Sequence, residues 1–170
     1  MKRILLSSFL IFIIAFISLG IAERESVNPA VYPGRISIEG TYKCSARKLS
    51  DGTKVKPPQI TGLLIFTEKY RQINLSWKDD NGKLVSVSCI AEYSIDDTEY
   101  TEKNMFYCVT NETEGSTYDM SDLSASSEVT AKDGKISFKL PIHDKPLVTV
   151  TTDHLVVEGS EFTDYWKKVE

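Results

Sequence analysis

The chain has 170 residues, of which 41% are hydrophobic and 26% charged, and its formal net charge is −4 at neutral pH. Acidic residues are scattered among the lysines and no basic stripe occurs, which argues against nucleic acid as a partner and against strong attraction to anionic lipid surfaces. The length fits one domain with a well-buried core.

Residues 1–22 have the features of a cleavable signal peptide. Lys2 and Arg3 precede the apolar run Ile4–Leu19, which ends in the small-residue site Gly20-Ile21-Ala22. The run is shorter than the roughly 20 apolar residues that a membrane-spanning helix needs. We therefore expect cleavage after Ala22, a secreted or periplasmic location, no stable membrane insertion of the mature chain, and a mature charge of −4 − 2 = −6. An uncleaved anchor is the alternative.

The rest of the chain shows short alternating apolar and polar segments between turn residues, a pattern typical of an all-β barrel or sandwich. We expect an irregular leader over residues 23–37 and one antiparallel β-domain over residues 38–170. The polar stretch Asn111–Ser126 is expected to hold a helical turn near Asp119–Leu123. Strands are predicted at Ile38–Leu49, Ile60–Thr67, Arg71–Lys78, Lys83–Ile95, Tyr100–Thr110, Ser127–Lys132, Lys135–Leu140, Leu147–Thr152, Leu155–Glu158 and Thr163–Val169.

The turn around Gly82 predicts the register of the hairpin that contains it. A two-residue loop at Asn81-Gly82 would oppose apolar residues to serines. A three-residue loop with Gly82 in the left-handed conformation opposes apolar residues to apolar residues, so we prefer it. The preferred register pairs Trp77 with Val85, Leu75 with Val87 and Ile73 with Cys89.

A second glycine turn lies at Asp133-Gly134, between two of the later predicted strands. A two-residue loop there opposes Ala131 to Ile136 and Val129 to Phe138, which joins apolar residues to apolar residues. This match predicts a second hairpin with one apolar face.

The three cysteines, Cys44, Cys89 and Cys108, allow at most one intramolecular disulfide, and their spacing does not choose the pair. Continuing the hairpin register past the next turn opposes Cys89 to Phe106, which would place Cys89 and Cys108 diagonally on one face. Diagonal neighbours are about 7–8 Å apart, whereas disulfides prefer Cα separations below about 6.8 Å. We therefore expect no disulfide between Cys89 and Cys108. The other reading of all three cysteines is that they are small buried residues with free thiols.

Three segments resemble the bacterial-type lipocalin-like domain family. Ile38-Glu39-Gly40-Thr41-Tyr42 resembles the Gly-x-Trp opening of lipocalins, and Asp51-Gly52 followed by Gly62–Thr67 is similar to the next part of the family pattern. Tyr165-Trp166-Lys167-Lys168-Val169 is similar to its final strand. The resemblance covers most of residues 38–169 and implies an antiparallel up-and-down β-barrel of about eight to ten strands.

The same resemblance implies that the first and last strands close the barrel through Gly40, Tyr42, Trp166 and Lys167. The chain departs from the family at two of these positions. Tyr42 stands where tryptophan is usual, and Lys167 or Lys168 stands where arginine is usual. An ammonium can rest on a phenol ring, but it lacks the planar stacking of a guanidinium, so a looser closure is expected.

No constellation of residues commits the chain to catalysis, to a metal or to another cofactor. His143 and His154 do not have the spacing of a helical zinc pair and lie outside any cysteine-rich frame. The acidic pairs Asp79-Asp80 and Asp96-Asp97 lie at turns, where carboxylates accept hydrogen bonds from backbone amides. The sequence therefore favours a binding protein over an enzyme.

Two function classes remain open. A barrel of this size either encloses one small ligand or is filled by side chains. We expect a small, mainly apolar ligand in the interior, and the alternative is a secreted protein-interaction module that uses its surface or loops around a filled interior. The residues expected to line a ligand, drawn from three consecutive strands, are Ile73, Leu75, Trp77, Val87, Tyr93 and Phe106.

Overall fold

The computed structural model describes residues 36–79 and 81–169, and these residues form an all-β fold without a helix. The all-β prediction is therefore confirmed. The expected signal peptide and most of the expected leader lie outside the described residues. The strands are β1 Gly40–Leu49, β2 Lys54–Val55, β3 Ile60–Phe66, β4 Tyr70–Lys78, β5 Leu84–Ile95, β6 Glu99–Asn111, β7 Gly115–Asp119, β8 Ser124–Glu128, β9 Thr130–Lys132, β10 Lys135–Lys139, β11 Leu147–Val150, β12 His154–Glu158 and β13 Phe162–Lys168.

All of these strands belong to one antiparallel sheet, which is curled into a half-barrel with 11 strands along its main path. The order along that path is β7-β6-β5-β4-β3-β1-β13-β12-β11-β10-β9, while β2 pairs with β1 and β8 pairs with β6. Most neighbours are consecutive in the chain, and the join between β1 and β13 brings the two ends of the domain together. The concave face carries most of the buried side chains.

The hairpin of β4 and β5 has the register that the glycine turn predicts. Trp77 opposes Val85, Leu75 opposes Val87 and Ile73 opposes Cys89, so all three pairs are confirmed. Gly82 has a φ of +74°, which confirms its left-handed conformation.

The hairpin of β9 and β10 confirms one of its two predicted pairs, the one closer to the turn. Ala131 opposes Ile136. The pairing of Val129 with Phe138 is wrong, because β9 begins at Thr130 and the backbone N–H of Val129 donates instead to the carbonyl oxygen of Thr98 (2.8 Å). The chain thus leaves β10 one residue earlier than the apolar pattern suggests.

A β-bulge between β5 and β6 overturns the predicted partner of Cys89. The register shifts next to Ile90, so that Cys89 opposes Tyr107 and Ile90 opposes Phe106. Because successive side chains alternate between the two faces, the shift turns Phe106 to the outer face and Tyr107 to the inner face. Cys108 opposes Ser88 and therefore lies on the face opposite to Cys89, so the predicted shared face is wrong. Cys44, Cys89 and Cys108 are free and buried.

The polar stretch after β6 contains strands where a helical turn was expected. β7 and β8 both pair with β6, one on each half of its length, and residues 120–123 between them have no regular structure. The Asn104 side chain, on β6, donates to the carbonyl oxygens of Asp119 (3.3 Å) and Ser121 (3.1 Å) and holds this connection. The open edge of the long strand β6 thus overrides the local preference of the serine-rich segment.

One part of the concave face is filled by aromatic rings. Consecutive ring centroids along this aromatic row are 6.4, 5.4, 5.7 and 4.4 Å apart, and all five side chains are buried. Edge-to-face and offset-stacked pairs at these distances are favourable beyond their buried area. The row comprises Tyr42, Phe66, Tyr93, Tyr100 and Phe138.

The four residues expected to close the barrel lie on or beside the β1–β13 ladder. Gly40 begins β1, and Tyr42 and Trp166 are fully buried. The ammonium of Lys168 lies 5.6 Å from the centroid of the Tyr42 ring, whereas Lys167 opposes Lys43. Of the two lysines left open by the sequence, Lys168 is therefore the one that rests on the tyrosine.

Candidate functional site

A cavity of about 290 Å³ lies on the concave face, beside the aromatic row. Its wall combines side chains of the β4–β6 meander with side chains of β12, β13 and the loop between β10 and β11, so the site is assembled from distant parts of the chain. Most of the wall is apolar. From the meander it includes Ile73, Leu75, Trp77, Val85, Val87 and Val109, and from the opposite side Leu140, Ile142, Pro146, Val157 and Phe162.

Four of the six residues expected to line a ligand lie in this wall, and two do not. Ile73, Leu75 and Trp77 on β4 and Val87 on β5 contribute to the cavity. Tyr93 is packed in the aromatic row, between Phe66 and Tyr100. Phe106 is outside the cavity wall, since the bulge places it on the outer face against the ring of Tyr118 at 6.4 Å.

Tyr107 occupies the inward position that the unbulged register assigns to Phe106. It opposes Cys89, lines the cavity, and stacks on the His143 imidazole with ring centroids 3.8 Å apart. Burial raises the pKa of Tyr107 to about 12, so its hydroxyl is neutral at physiological pH. The polar group that Tyr107 adds to the wall is thus uncharged.

A buried ion pair forms one end of the wall. Arg47 Nε and Nη2 donate to the two carboxylate oxygens of Asp164 at 2.6 and 2.8 Å, and both residues are at most 5% exposed. The guanidinium carbon of Arg47 lies 4.3 Å from the centroid of the Trp77 ring and 4.4 Å from that of Phe162. The two aromatic rings and the bidentate Asp164 carboxylate therefore fix the guanidinium in place.

A second buried pair lies at the other end of the inward row of β4. Arg71 Nε and Nη2 donate to the Glu102 carboxylate at 3.0 and 2.6 Å, and the Tyr100 hydroxyl donates to the same carboxylate at 2.6 Å. Burial acts to lower the pKa of Arg71, but the adjacent carboxylate outweighs it and raises the pKa. Burial raises the pKa of the nearby Cys89 thiol, so it stays protonated and is a poor nucleophile.

The indole nitrogen of Trp166 is a polar atom of the wall without a partner. Trp166 is 1% exposed, and its Nε1 has no hydrogen-bond partner among residues 36–79 and 81–169. An indole N–H can only donate. A buried donor left unpaired costs about 1–3 kcal/mol.

The loop from residue 141 to residue 146 covers one side of the cavity in a strained conformation. His143, Asp144 and Lys145 have φ values of +54°, +49° and +47°, and the Lys145 N–H donates to the His143 carbonyl oxygen. Three consecutive non-glycine residues in the left-handed region are uncommon. His143 Nε2 lies 3.5 Å from a carboxylate oxygen of Asp119, the last residue of β7.

The wall is apolar apart from two arginines, two aspartates, Tyr107, His143 and Cys89. In the described part of the chain no group of three or more His, Cys, Asp or Glu side chains is arranged to hold a metal ion. Asp164 in the wall is paired with Arg47, and the wall residue Arg71 is paired with Glu102, which lies outside the wall. His154, the other histidine, begins β12 as an exposed residue away from the cavity wall.

Both arginine pairs and Tyr107 fall outside the residues that the sequence pattern predicts for the site. Charged residues are rarely fully buried unless paired, so a charge on a predicted strand is normally assigned to solvent. The signal that could have found Arg71 is the alternation of side chains between the two faces of a strand. Arg71 shares its face of β4 with Ile73, Leu75 and Trp77, which points it inward once the hairpin register is known.

Comparison of the chain with protein-family models, curated proteins and solved structures finds no match. No helix within the described ranges is long and apolar enough to cross a membrane.

Proposed function

We propose that this protein is an exported lipocalin-like protein that binds a small, mainly apolar ligand in the interior of its β-barrel. The observation that carries the proposal is the cavity of about 290 Å³ with a mostly apolar wall built from β4, β5, β6, β12 and β13. Ligand pockets are concave, mainly apolar, and carry a few fixed polar groups, which is also the make-up of this wall.

Two pairings support a barrel of the up-and-down kind. The first and last long strands, β1 and β13, pair over most of their length. The segment from β8 to β9 pairs with β6 through its first half and with β10 through its second half, and Ser127 Oγ donates to the Lys139 carbonyl oxygen (2.6 Å). A segment shared in this way connects the two margins of the curled sheet. Counting it as one strand with β1, β3–β6 and β10–β13 gives ten strands, at the upper end of the expected range.

The size of the cavity limits the ligand. A cavity of about 150 Å³ lined by apolar residues binds benzene. At about 290 Å³ the present cavity has room for roughly two fused six-membered rings, and it lies just under the lower end, about 300 Å³, of the usual range for ligand pockets. Small bicyclic molecules therefore fit better than sterols or porphyrins.

The second candidate, a secreted protein-interaction module, rests on a different surface. Tyr118 contacts Phe106 on the outer face, and Tyr118, Met120 and Leu123 are more than half exposed. This outer cluster favours a protein partner. The interior of such a module is expected to be filled, whereas here the aromatic row fills one part of the concave face and the cavity lies beside it.

Ligand binding is tested by titrating small bicyclic compounds while tryptophan fluorescence is recorded. We expect a saturable change in emission, because Trp77 lies in the cavity wall. Trp77→Ala should weaken binding without abolishing the fold. Phe106→Ala is the matched control, since it also removes an aromatic ring but on the outer face, and it should leave affinity unchanged. Equal loss in both variants, or no binding by any compound, would contradict the proposal.

Export is tested separately by N-terminal sequencing of the protein from its host. We expect a mature chain that starts at or close to Glu23. A mature chain that still carries residues 4–19 would overturn both the cleavage and the secreted or periplasmic location.

A further inference from the structure

We propose that ligands enter and leave the cavity between strand β7 and the loop of residues 141–146, and that His143 holds this seam closed. The seam is the boundary between Gly115–Asp119 on one side and the loop on the other. The inference rests on the proposed binding function and adds the route by which a ligand exchanges. Three observations carry it: a gap in the backbone pairing, the contacts of His143 across the gap, and the strained backbone of the loop.

Backbone pairing joins the two margins of the curled sheet over only part of their length. The segment from β8 to β9 pairs with β6 on one margin and with β10 on the other. Among the described strands, β7 has β6 as its one neighbour and forms no ladder with β10 or β11. The loop of residues 141–146 meets the end of β7 instead, where His143 Nε2 lies 3.5 Å from an Asp119 carboxylate oxygen. The barrel can therefore open at the seam without breaking a ladder of the sheet.

The His143 side chain reaches across the seam. Its imidazole stacks on the Tyr107 ring of β6, with centroids 3.8 Å apart and planes 10° from parallel. Its Nε2 is buried beside Asp119 but makes no hydrogen bond to a described residue. One stacked pair contributes modestly to stability, and a buried polar atom without a hydrogen bond opposes the closed state. The seam is thus held by contacts that are individually weak, as a part that opens and closes requires.

The backbone of the loop also favours a part that moves. His143, Asp144 and Lys145 all have positive φ values, between +47° and +54°, and such a conformation persists only where the surroundings hold it. The Leu140 N–H donates to the Pro146 carbonyl oxygen (3.0 Å) and closes the base of the loop, which confines the movement to residues 141–145. Releasing His143 lets these residues relax, so the strain stored in the closed loop lowers the cost of opening.

Ile142 gives the ligand a reason to close the loop again. Its side chain is 4% exposed and belongs to the cavity wall, as do His143 and Pro146. An apolar ligand in the cavity adds buried area next to Ile142 that the open loop would lose. A ligand shifts a conformational equilibrium towards the state that it binds better. The bound protein is therefore expected to be closed and the empty protein to open transiently.

Opening is measured first without any ligand, through the Cys89 thiol. Cys89 lies in the cavity wall and is 3% exposed, so a small thiol reagent reaches it only when the cavity opens. The reagent is methyl methanethiosulfonate, and the labelling rate at each cysteine is read by peptide mass spectrometry at one fixed pH. His143→Ala should raise the rate at Cys89 about threefold to tenfold, the effect of one stacked ring pair. Cys44 and Cys108 lie outside the wall and should keep their rates.

Two control variants separate the latch contact from a general loosening. His154→Ala removes the other histidine, which is exposed at the start of β12 and outside the cavity wall, and should leave all labelling rates unchanged. His143→Phe keeps a ring on Tyr107 but has no nitrogen to face Asp119, so the rate at Cys89 should rise less than in His143→Ala. A parallel rise at Cys44 and Cys108 in His143→Ala would mean that the whole fold is loosened, and would overturn the proposal.

Ligand exchange is measured next, with tetralin as the probe and stopped-flow tryptophan fluorescence as the readout. A residue that controls only the opening changes the association and dissociation rates by the same factor and leaves their ratio alone. We therefore expect both rates to rise about threefold to tenfold in His143→Ala, while the Kd changes by less than about twofold. A faster dissociation with an unchanged association rate would make His143 an ordinary wall contact and overturn its role at the seam.

The two measurements also separate this inference from the binding function. Tetralin binding with rates and Cys89 labelling that do not respond to His143→Ala would overturn the seam and leave the binding function intact. Cys89 labelling that rises in His143→Ala in a protein that does not bind tetralin would support an opening seam and count against the binding function. A protein that shows neither response would contradict both.

Discussion

Replacing Glu102 by glutamine should destabilise the protein strongly, because Glu102 is the only partner of a buried guanidinium among the described carboxylates. Glu102 is 1% exposed, accepts two hydrogen bonds from Arg71 at 3.0 and 2.6 Å, and accepts a third from the Tyr100 hydroxyl at 2.6 Å. Breaking a buried pair by removing one charge costs about 3–5 kcal/mol, since the other charge stays buried without compensation. Small domains have only about 5–15 kcal/mol of total stability, so the loss is large.

The same physics predicts that removing the whole network is far less harmful than removing one member. Arg71→Met combined with Glu102→Leu eliminates both charges but leaves the Tyr100 hydroxyl unpaired, at a cost of about 1–3 kcal/mol. Adding Tyr100→Phe removes that cost too. We therefore expect stability to rise from Glu102→Gln to the double variant and again to the triple variant.

The assay is urea unfolding followed by tryptophan fluorescence, with Glu92→Gln as the control. Glu92 pairs with Lys69 at 3.1 Å on the exposed surface, and its loss should leave the urea midpoint almost unchanged. An unchanged midpoint for Glu102→Gln, or a triple variant less stable than Glu102→Gln, would mean that Arg71 does not need the Glu102 charge.

Three further predictions concern single positions. Gly82→Val should lower the free energy of unfolding by about 1–2 kcal/mol, because Gly82 has a φ of +74° and a β-carbon there meets nothing within 4 Å, so only backbone strain contributes. Gly82→Asn should cost less in urea unfolding, and a Gly82→Val variant as stable as the parent would mean that Gly82 is not in the left-handed conformation. Gly62→Ala should destabilise the fold and alter the cavity, because a β-carbon would lie 2.8 Å from Leu75 Cδ1 and 2.5 Å from the backbone oxygen of Asn74. A crystal structure of the variant in which Leu75 has not moved would contradict this. Burial raises the pKa values of Tyr42 and Tyr107 to about 12, so the unfolded state loses these protons at lower pH than the folded state, and stability should fall as pH rises from about 10 to about 12. Tyrosinate absorbance at 295 nm should rise less near pH 12 in Tyr42→Phe than in the parent, and an identical titration curve would contradict the burial effect.

The alternation of apolar residues sufficed for the strands and for one hairpin register, but it could not reveal the bulge. Met105, Phe106 and Tyr107 are consecutive large apolar or aromatic residues, so a shift of one position still places such a residue on each face. The hydrophobic pattern therefore fits both registers equally well. Only the tertiary pairing of β6 with β5 selects the one in which Tyr107 points into the cavity.

The polar parts of the site were also beyond the sequence pattern, for a related reason. Whether Arg47 and Arg71 are buried depends on carboxylates 117 and 31 residues away in the chain, and such distant partners are invisible to local periodicity. β7 and β8 were missed because they are short and mostly polar, and they form strands against the edge of β6 that β5 leaves open.

Native mass spectrometry of the protein purified from its own host can show whether the interior holds a ligand. We expect the protein to carry one small, mainly apolar molecule in stoichiometric amount, retained in Phe106→Ala and lost in Trp77→Ala, because Trp77 lies in the cavity wall and Phe106 does not. A polypeptide without any adduct that also fails to bind small bicyclic compounds, or an adduct that persists in Trp77→Ala and disappears in Phe106→Ala, would contradict ligand binding in the interior.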